Sequence, residues 1–406
     1  MNSAYWLTNV RLESGYQYEN GVVTGTETEI CHIRVEDGKI SEIVSAAKPL
    51  ESDLPKKDAK NLLLLPSFKE MHIHIDKTYY GGPWKAVRPV SGIFGRMEEE
   101  RELLPKLLPA AKERAEKMLD LLIGFGSTHV RTHCNIDPVI GLKNLEATMQ
   151  ALETLSGKIS YEVVAFPQHG LLRSQSADLV RQAMRQGAAL VGGVDPATVD
   201  ENIEVSLQTI MDIAVEANAD IDIHIHDRDH LGIFTMKRLA ALTEEAGWQG
   251  RVAVSHAFGF AGSPSPAAAE LAEMFAELGI SITSTVPIGA AAMPIPMLHE
   301  KGVKVELGND SITDHWSPFG IGDNLEKAGR LAELYRFIDE YSLSQALGFI
   351  TGGKTPLNKE GKLVWPAVGD EASVVLVEAS CSAEAVARRA KRRAVFYKGN
   401  LVAGDI

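Results

Sequence analysis

The chain has 406 residues, beyond the roughly 100 to 200 of an ordinary domain, so one large barrel-type domain or two domains are expected. Hydrophobic residues make up 45% and charged residues 23%, which excludes a largely disordered chain and supplies enough apolar material for a packed core. The 54 acidic and 41 basic side chains give a net charge of −13, so no overall attraction draws this surface to nucleic acid or anionic lipid.

Cys31, Cys134 and Cys381 are an odd, widely spaced set without a C-x-x-C, as expected of a reducing compartment, and the cytoplasm fits best. The polar start Met1–Thr8 and short apolar runs such as Leu62–Leu65 fall far below the ~20 apolar residues of a membrane span. Neither export nor membrane insertion is expected.

From Tyr5 to about Leu65 the text alternates as short strands, with a hairpin turn at Asp37-Gly38. From Met71 onward β-branched runs alternate with Ala-rich, charged helical stretches such as Leu103–Leu122, Asp178–Gln186 and Ala267–Leu278. Eight buried strands are expected at Met71–Ile75, Thr128–His133, Glu162–Phe166, Leu190–Val194, Ile221–His226, Val252–His256, Ser281–Thr285 and Val303–Gly308. Strand–helix repetition of this kind predicts a (β/α)8 TIM barrel. Strand-like text returns at Ser373–Val377 and Arg393–Tyr397, so the two chain ends are expected to pair into a small β-sandwich domain (1–66 and 357–406) beside the barrel (67–356). The basic run Arg388–Arg393 reads as a solvated helix face.

The string His72-Ile73-His74 carries the most chemistry. Residues i and i+2 of a strand share a face, so both imidazoles can reach one metal ion at the strand's C-terminal end. His224, His256 and Asp310 each stand where a later apolar strand stops, and in a barrel such positions converge on the face that holds the catalytic loops. His72, His74, His224 and Asp310 are thus a candidate site for one divalent ion, Zn2+ or Fe2+, with an open position for water. The ion lowers the pKa of that water towards neutrality. Asp310 is the candidate proton acceptor, His256 stabilises a tetrahedral adduct, and Asp227 shuttles a proton to a leaving amine. Leu190–Val194 contains no lysine, so none bridges two ions there and one metal is expected.

These motifs resemble the amidohydrolase superfamily over nearly the whole chain, and within it the cytosine deaminase-like branch. Ala165-Phe166-Pro167-Gln168-His169-Gly170 is similar to that branch's substrate-reading loop, and Arg131-Thr132-His133, Gly193-Val194-Asp195-Pro196 and Ser255-His256-Ala257 to its other strand ends. The resemblance implies that Gln168 reads the ring's carbonyl and nitrogen edge through its carboxamide. Asp227, where cytosine deaminases carry Glu, and Asp76-Lys77 look more like N-isopropylammelide isopropylaminohydrolase. Ser311 stands where cytosine deaminases have a second Asp, and the smaller side chain leaves room for a 5-substituent such as methyl. Lys77 is a candidate for assisting a leaving group or an anionic ring, and Trp316 for walling the pocket by stacking. His133, His169, His226 and His230 are read as supporting or structural residues.

The expected activity is therefore hydrolytic deamination of a cytosine-like ring, cytosine or 5-methylcytosine, with release of ammonia. The alternative is an N-alkylamino-triazine hydrolase that releases an alkylamine. The expected partner is a small aminopyrimidine or aminotriazine, with no nucleic acid and no membrane. Barrels of this kind often associate, so a homo-oligomer is admitted, though no segment marks an interface. Two motifs are set aside. Gly348–Thr355 matches the G-x-x-x-x-G-K-[ST] phosphate loop but lacks its strand–loop–helix setting. The H-x-E and P-C-x-x-C pattern of cytidine-type zinc deaminases has no counterpart among the cysteines present.

Overall fold

The computed structural model describes residues 4–262, 265–289 and 292–406, so the first three residues of the polar start lie outside it. The chain begins with β1 (Tyr5–Glu19), β2 (Val22–Glu36) and β3 (Lys39–Ser45), a meander whose first turn is Asn20-Gly21 and whose second is the expected Asp37-Gly38. Both residues of each turn have positive φ, the geometry that matches the twist of a tight hairpin. Then come β4 (Lys56–Asp58) and β5 (Leu63–Pro66), both parallel to β1.

The barrel strands follow: β6 (Phe68–Ile73), β7 (Ser127–Asn135), β8 (Ser160–Phe166), β9 (Leu190–Val194), β10 (Asp220–His224), β11 (Val252–Ser255), β12 (Ser281–Ser284) and β13 (Val305–Leu307). They form one all-parallel sheet in sequential order. A parallel bridge between Ile73 and Asp310 closes it. The expected TIM barrel is present, its strands displaced by one to three residues from several of the predicted ends. Helices cover the outside, among them Ile203–Ala217, capped by the Asn202 side chain, and Pro266–Leu278, ended by Gly279 at φ 64°. The long interval after β6 holds a helix beyond the usual repeat: α1 (Gly92–Leu107) precedes α2 (Ala111–Gly124).

β14 (Val374–Val377), β15 (Arg392–Tyr397) and β16 (Asn400–Gly404) complete the terminal sheet in the order β16-β15-β14-β5-β1-β2-β3, with β14 antiparallel to β5. A bridge between Lys39 and Glu371 curls the sheet over its own core of Leu7, Val10, Ile33, Ile40, Leu64, Val374 and Phe396. Strand alternation turns Leu63 and Leu65 the other way, into the barrel's core with Val375 and Val377.

The basic run differs from its reading. Arg388 and Arg389 end the helix Ser382–Arg388, whereas Arg392 and Arg393 open β15. Arg389 pairs with Glu333 at 2.7 Å, Arg393 with Glu378 at 3.2 Å, and Arg392 with Asp323, because neighbouring helix and strand carry acids that the local sequence does not reveal. The Gly348–Thr355 string forms the short helix Gly348–Thr351 and a Gly352-Gly353 turn with positive φ, following the helix Glu340–Ala346. It is not the strand–loop–helix of a phosphate loop. The three cysteines are buried and unpaired, and among the described residues no helix is long and apolar enough to cross a membrane.

Candidate active site

The closure of the barrel sets the geometry of its mouth. The backbone N–H of Asp310 donates to the His72 carbonyl at 2.6 Å and that of His74 to the Asp310 carbonyl at 3.2 Å, so Asp310 is held between the two histidines. Gly308 allows this approach, since a Cβ there would lie 2.6 Å from both the N and the Cβ of His72. Glu70, wholly buried, ties the same ends together by accepting from the backbone of His72 and Asn309 and from the Asn309 side chain. His256 and Asp310 both have left-handed backbones, φ 68° and 62°. Such conformations in non-glycine residues concentrate at functional sites.

His72, His74, His224, His256 and Asp310 are brought together. Nε2 of His72 and Nε2 of His74 each lie 3.3 Å from Asp310 Oδ1, and His256 Nε2 lies 3.9 Å from Oδ2. The His72 and His224 rings are 4.6 Å apart. Ligand atoms of His72, His74 and Asp310, and likewise of His72, His224 and His256, all lie within 4.8 Å of one another. His72 Nε2 and both ring nitrogens of His224 are buried without a hydrogen bond. Buried polar atoms are nearly always paired, so this donor set fits a divalent ion. Burial pushes the His224 and His256 imidazoles well below their usual range, and burial together with the Lys77 charge lowers His74 to about 3; neutral imidazole is the ligating form. Burial opposes the charge on Asp310, but His72 and His74 outweigh it and hold the carboxyl well below the usual range.

A relay across the barrel orients His72. Its Nδ1 meets Ser255 Oγ at 2.7 Å, Ser255 donates to Asp222 at 2.7 Å, Arg131 bridges Asp222 at 2.9 Å and Glu162 at 2.8 Å, and Nε2 is left facing the cluster. His133, read as a supporting residue, sits inside the cluster, 4.2 Å from the His72 ring and 4.6 Å from that of His224, with neither nitrogen hydrogen-bonded and Nε2 3.9 Å from Asp222 Oδ2. Phe166 stacks on His224 at 4.1 Å.

Lys77, Gln168 and Trp316 assemble into a second group around a residue the motifs did not single out. Glu100, on α1 and wholly buried, accepts from Lys77 Nζ at 3.3 Å, Asn135 at 3.3 Å, His169 at 3.0 Å, His315 at 2.7 Å and Trp316 Nε1 at 2.8 Å. Desolvation opposes its ionisation, but Lys77 and the two histidines keep the carboxyl well below the usual range. Within the run Glu98-Glu99-Glu100 nothing distinguishes it by type. The available signal was its place on the Met97–Glu100–Leu104 stripe, which α1 buries. Met97 packs with Phe166, Val194 and Val199, laying α1 over the ends of β8 and β9.

Residues 101–403 match the profile of the Amidohydrolase family. The chain belongs to this family. It is 46% identical, over 99% of its length and 88% of the relative's, to the Escherichia coli K12 protein YahJ, which is described as uncharacterized. It is 32% identical to the N-isopropylammelide isopropyl amidohydrolase of Pseudomonas sp. strain ADP, over 86% of this chain and 88% of that one. Among solved structures, N-isopropylammelide isopropylaminohydrolase from Burkholderia multivorans superposes with a TM-score of 0.86 at 28% identity, covering 99% of both chains.

The remaining candidates of this amidohydrolase lie at the rim. Asp227 accepts from Thr198 through Oδ1, while its Oδ2 is buried and unpaired, and burial pushes its carboxyl up. Asp195 positions that loop by accepting the backbone N–H of His226 at 2.6 Å and of Asp227 at 3.3 Å, and it meets His226 Nδ1 at 2.8 Å. The His226 ring lies 4.3 Å from that of His256, so the Asp227 loop borders the cluster without entering it. Ser311 follows Asp310 and is buried. His230 lies on the helix Asp229–Glu245, exposed, away from this group.

Proposed function

We propose that this amidohydrolase uses one divalent ion, Zn2+ or Fe2+, to remove an amine or ammonia hydrolytically from an amino-substituted, nitrogen-containing heteroaromatic ring. One observation carries the reading: imidazole nitrogens without hydrogen bonds, from three barrel strands, gather beside an ionised Asp310 at the barrel mouth. His72, His74, His224 and Asp310 would hold the ion. When bound, it supplies Lewis acidity that makes a water easier to deprotonate.

The chain's own residues then divide the work. Asp310 takes a proton from the attacking water while a C–O bond forms at the amine-bearing carbon. His256, beside Asp310, stabilises the charge that develops on the tetrahedral carbon's substituents. Asp227, whose raised pKa suits a proton carrier, delivers a proton to the nitrogen as the C–N bond breaks. Gln168 hydrogen-bonds the ring and Trp316 walls it.

Two substrate classes follow. The 32% identity to an N-isopropylammelide amidohydrolase supports an N-alkylamino-oxotriazine, with release of an alkylamine. The small Ser311 beside Asp310 supports the second, ammonia release from cytosine or 5-methylcytosine. The test is a panel of aminopyrimidines, N-alkylaminotriazines and pterins, assayed for ammonia and alkylamine with zinc-loaded and iron-loaded protein. Turnover of at least one ring is expected, and a fully loaded protein inert towards all of them removes the proposal.

A further inference from the structure

Lys77 is only 1% exposed, and its ammonium has three N–H groups facing three acceptors: Glu100 Oε1 at 3.3 Å, Asn135 Oδ1 at 3.2 Å and Gln168 Oε1 at 2.9 Å. No N–H is left over for a ring. Burial works against the charge, but Glu100 and Asp76 keep the lysine protonated. An ammonium donates and cannot accept, so the Gln168 atom that it meets must be the carbonyl oxygen. A free carboxamide could turn and offer either a donor or an acceptor. This one is held with its oxygen turned inward by the lysine, which leaves the amide nitrogen on the other side of the carboxamide.

Glu100 keeps Lys77 in place, and it arrives from α1 rather than from a barrel loop. Its other partners come from the end of β7 (Asn135), the loop after β8 (His169) and the loop after β13 (His315 and Trp316). The Trp316 ring also lies 5.4 Å from Lys77 Nζ. One carboxylate thus fastens the lysine, the pocket wall and α1 in a single arrangement.

We infer that Lys77 and Glu100 are a positioning pair that fixes the polarity of Gln168, so that this wall offers the ring only N–H donors. The site therefore selects rings that turn a carbonyl oxygen towards Gln168. It rejects rings with an N–H or C–H there. Oxo-substituted aminopyrimidines and aminotriazines fit, and their analogues lacking the oxo group do not. The inference rests on the heteroaromatic reading above but goes beyond it by assigning the ring edge. Lys77 acts through Gln168 and touches no substrate.

The test compares matched rings by calorimetric binding to the zinc-loaded protein: uracil against pyrimidin-4-one, and ammelide against its analogue with one oxo group removed. Sites built to hydrogen-bond a substrate group reject analogues lacking it strongly, so the wild type should prefer the oxo ring at least ~100-fold in one pair. The double variant Lys77→Met, Glu100→Gln removes both charges together and frees Gln168 to turn, so the preference should fall at least ~10-fold. In Gln168→Glu the carboxylate offers an acceptor in place of the donor, and the preference should vanish or invert. Kinetics on 4-aminopyrimidin-2-one and 4-aminopyrimidine should show the same loss in KM rather than in kcat. An unchanged preference in Gln168→Glu and in a folded double variant overturns the inference even where turnover is found. Discrimination without turnover sinks the hydrolase reading and leaves the inference standing, whereas binding of none of these rings overturns both.

Discussion

Asp310 does two things that a single carboxylate does only where its neighbours are fixed. It lies 3.3 Å from the Nε2 of both His72 and His74, and its own backbone is bonded to the His72 carbonyl. Asp310→Asn keeps the shape and removes both the negative charge and the proton acceptor. Turnover should fall at least ~100-fold, the scale of a lost general base, with the circular dichroism spectrum unchanged. His256→Asn should behave alike, and a wild-type rate in either variant removes that residue from the chemistry. At this scale much of the site was legible. His72, His74, His224, His256 and Asp310 stand at strand ends, and strand ends in a barrel converge. Glu100 was not legible, because one glutamate in a run of three becomes a buried anchor only when α1 meets four other elements.

Strands and helices carry the next level. The barrel interior is braced by Arg131 on β7, which pairs with Glu162 on β8 and Asp222 on β10, and Asp222 reaches His72 through Ser255 on β11. Desolvation raises the Glu162 carboxyl, but bonds from His129 and Arg131 outweigh it and bring it down to about 2. A carboxyl with a depressed folded pKa contributes stability that is present above its unfolded value, near 4.5, and lost as pH falls through the folded one. Thermal melts of wild type and Glu162→Gln should therefore differ by a constant amount above about pH 5 and converge between pH 4.5 and about 2. A gap independent of pH over that window would show that the carboxylate's charge is not what braces the strands. The strand pattern was readable because hydrophobic runs of this length alternate with helical stretches. The cross-barrel chain was not, since Arg131 and Asp222 are 91 positions apart and pair only once the sheet closes.

For the whole molecule, a metal held by three barrel segments would tie binding to the folded state. A ligand that binds only the folded chain stabilises it by RT ln(1 + [L]/Kd), about 2.7 kcal/mol at one hundred times Kd. Dialysis against a chelator should lower the melting temperature and abolish turnover together, and added Zn2+ or Fe2+ should restore both. A melting curve indifferent to chelation would take the ion out of the His72, His74, His224 and Asp310 cluster. The barrel, the sheet built from both chain ends and the residues at the mouth follow from local sequence, because period, turn chemistry and residue type are properties of short stretches. The polarity of Gln168, the anchoring by Glu100, the place of His133 among the clustered histidines and the splitting of the Arg388–Arg393 run were decided by tertiary structure. Each depends on a charge or hydrogen bond whose partner lies far away in the chain, and only closure of the barrel brings such partners within reach.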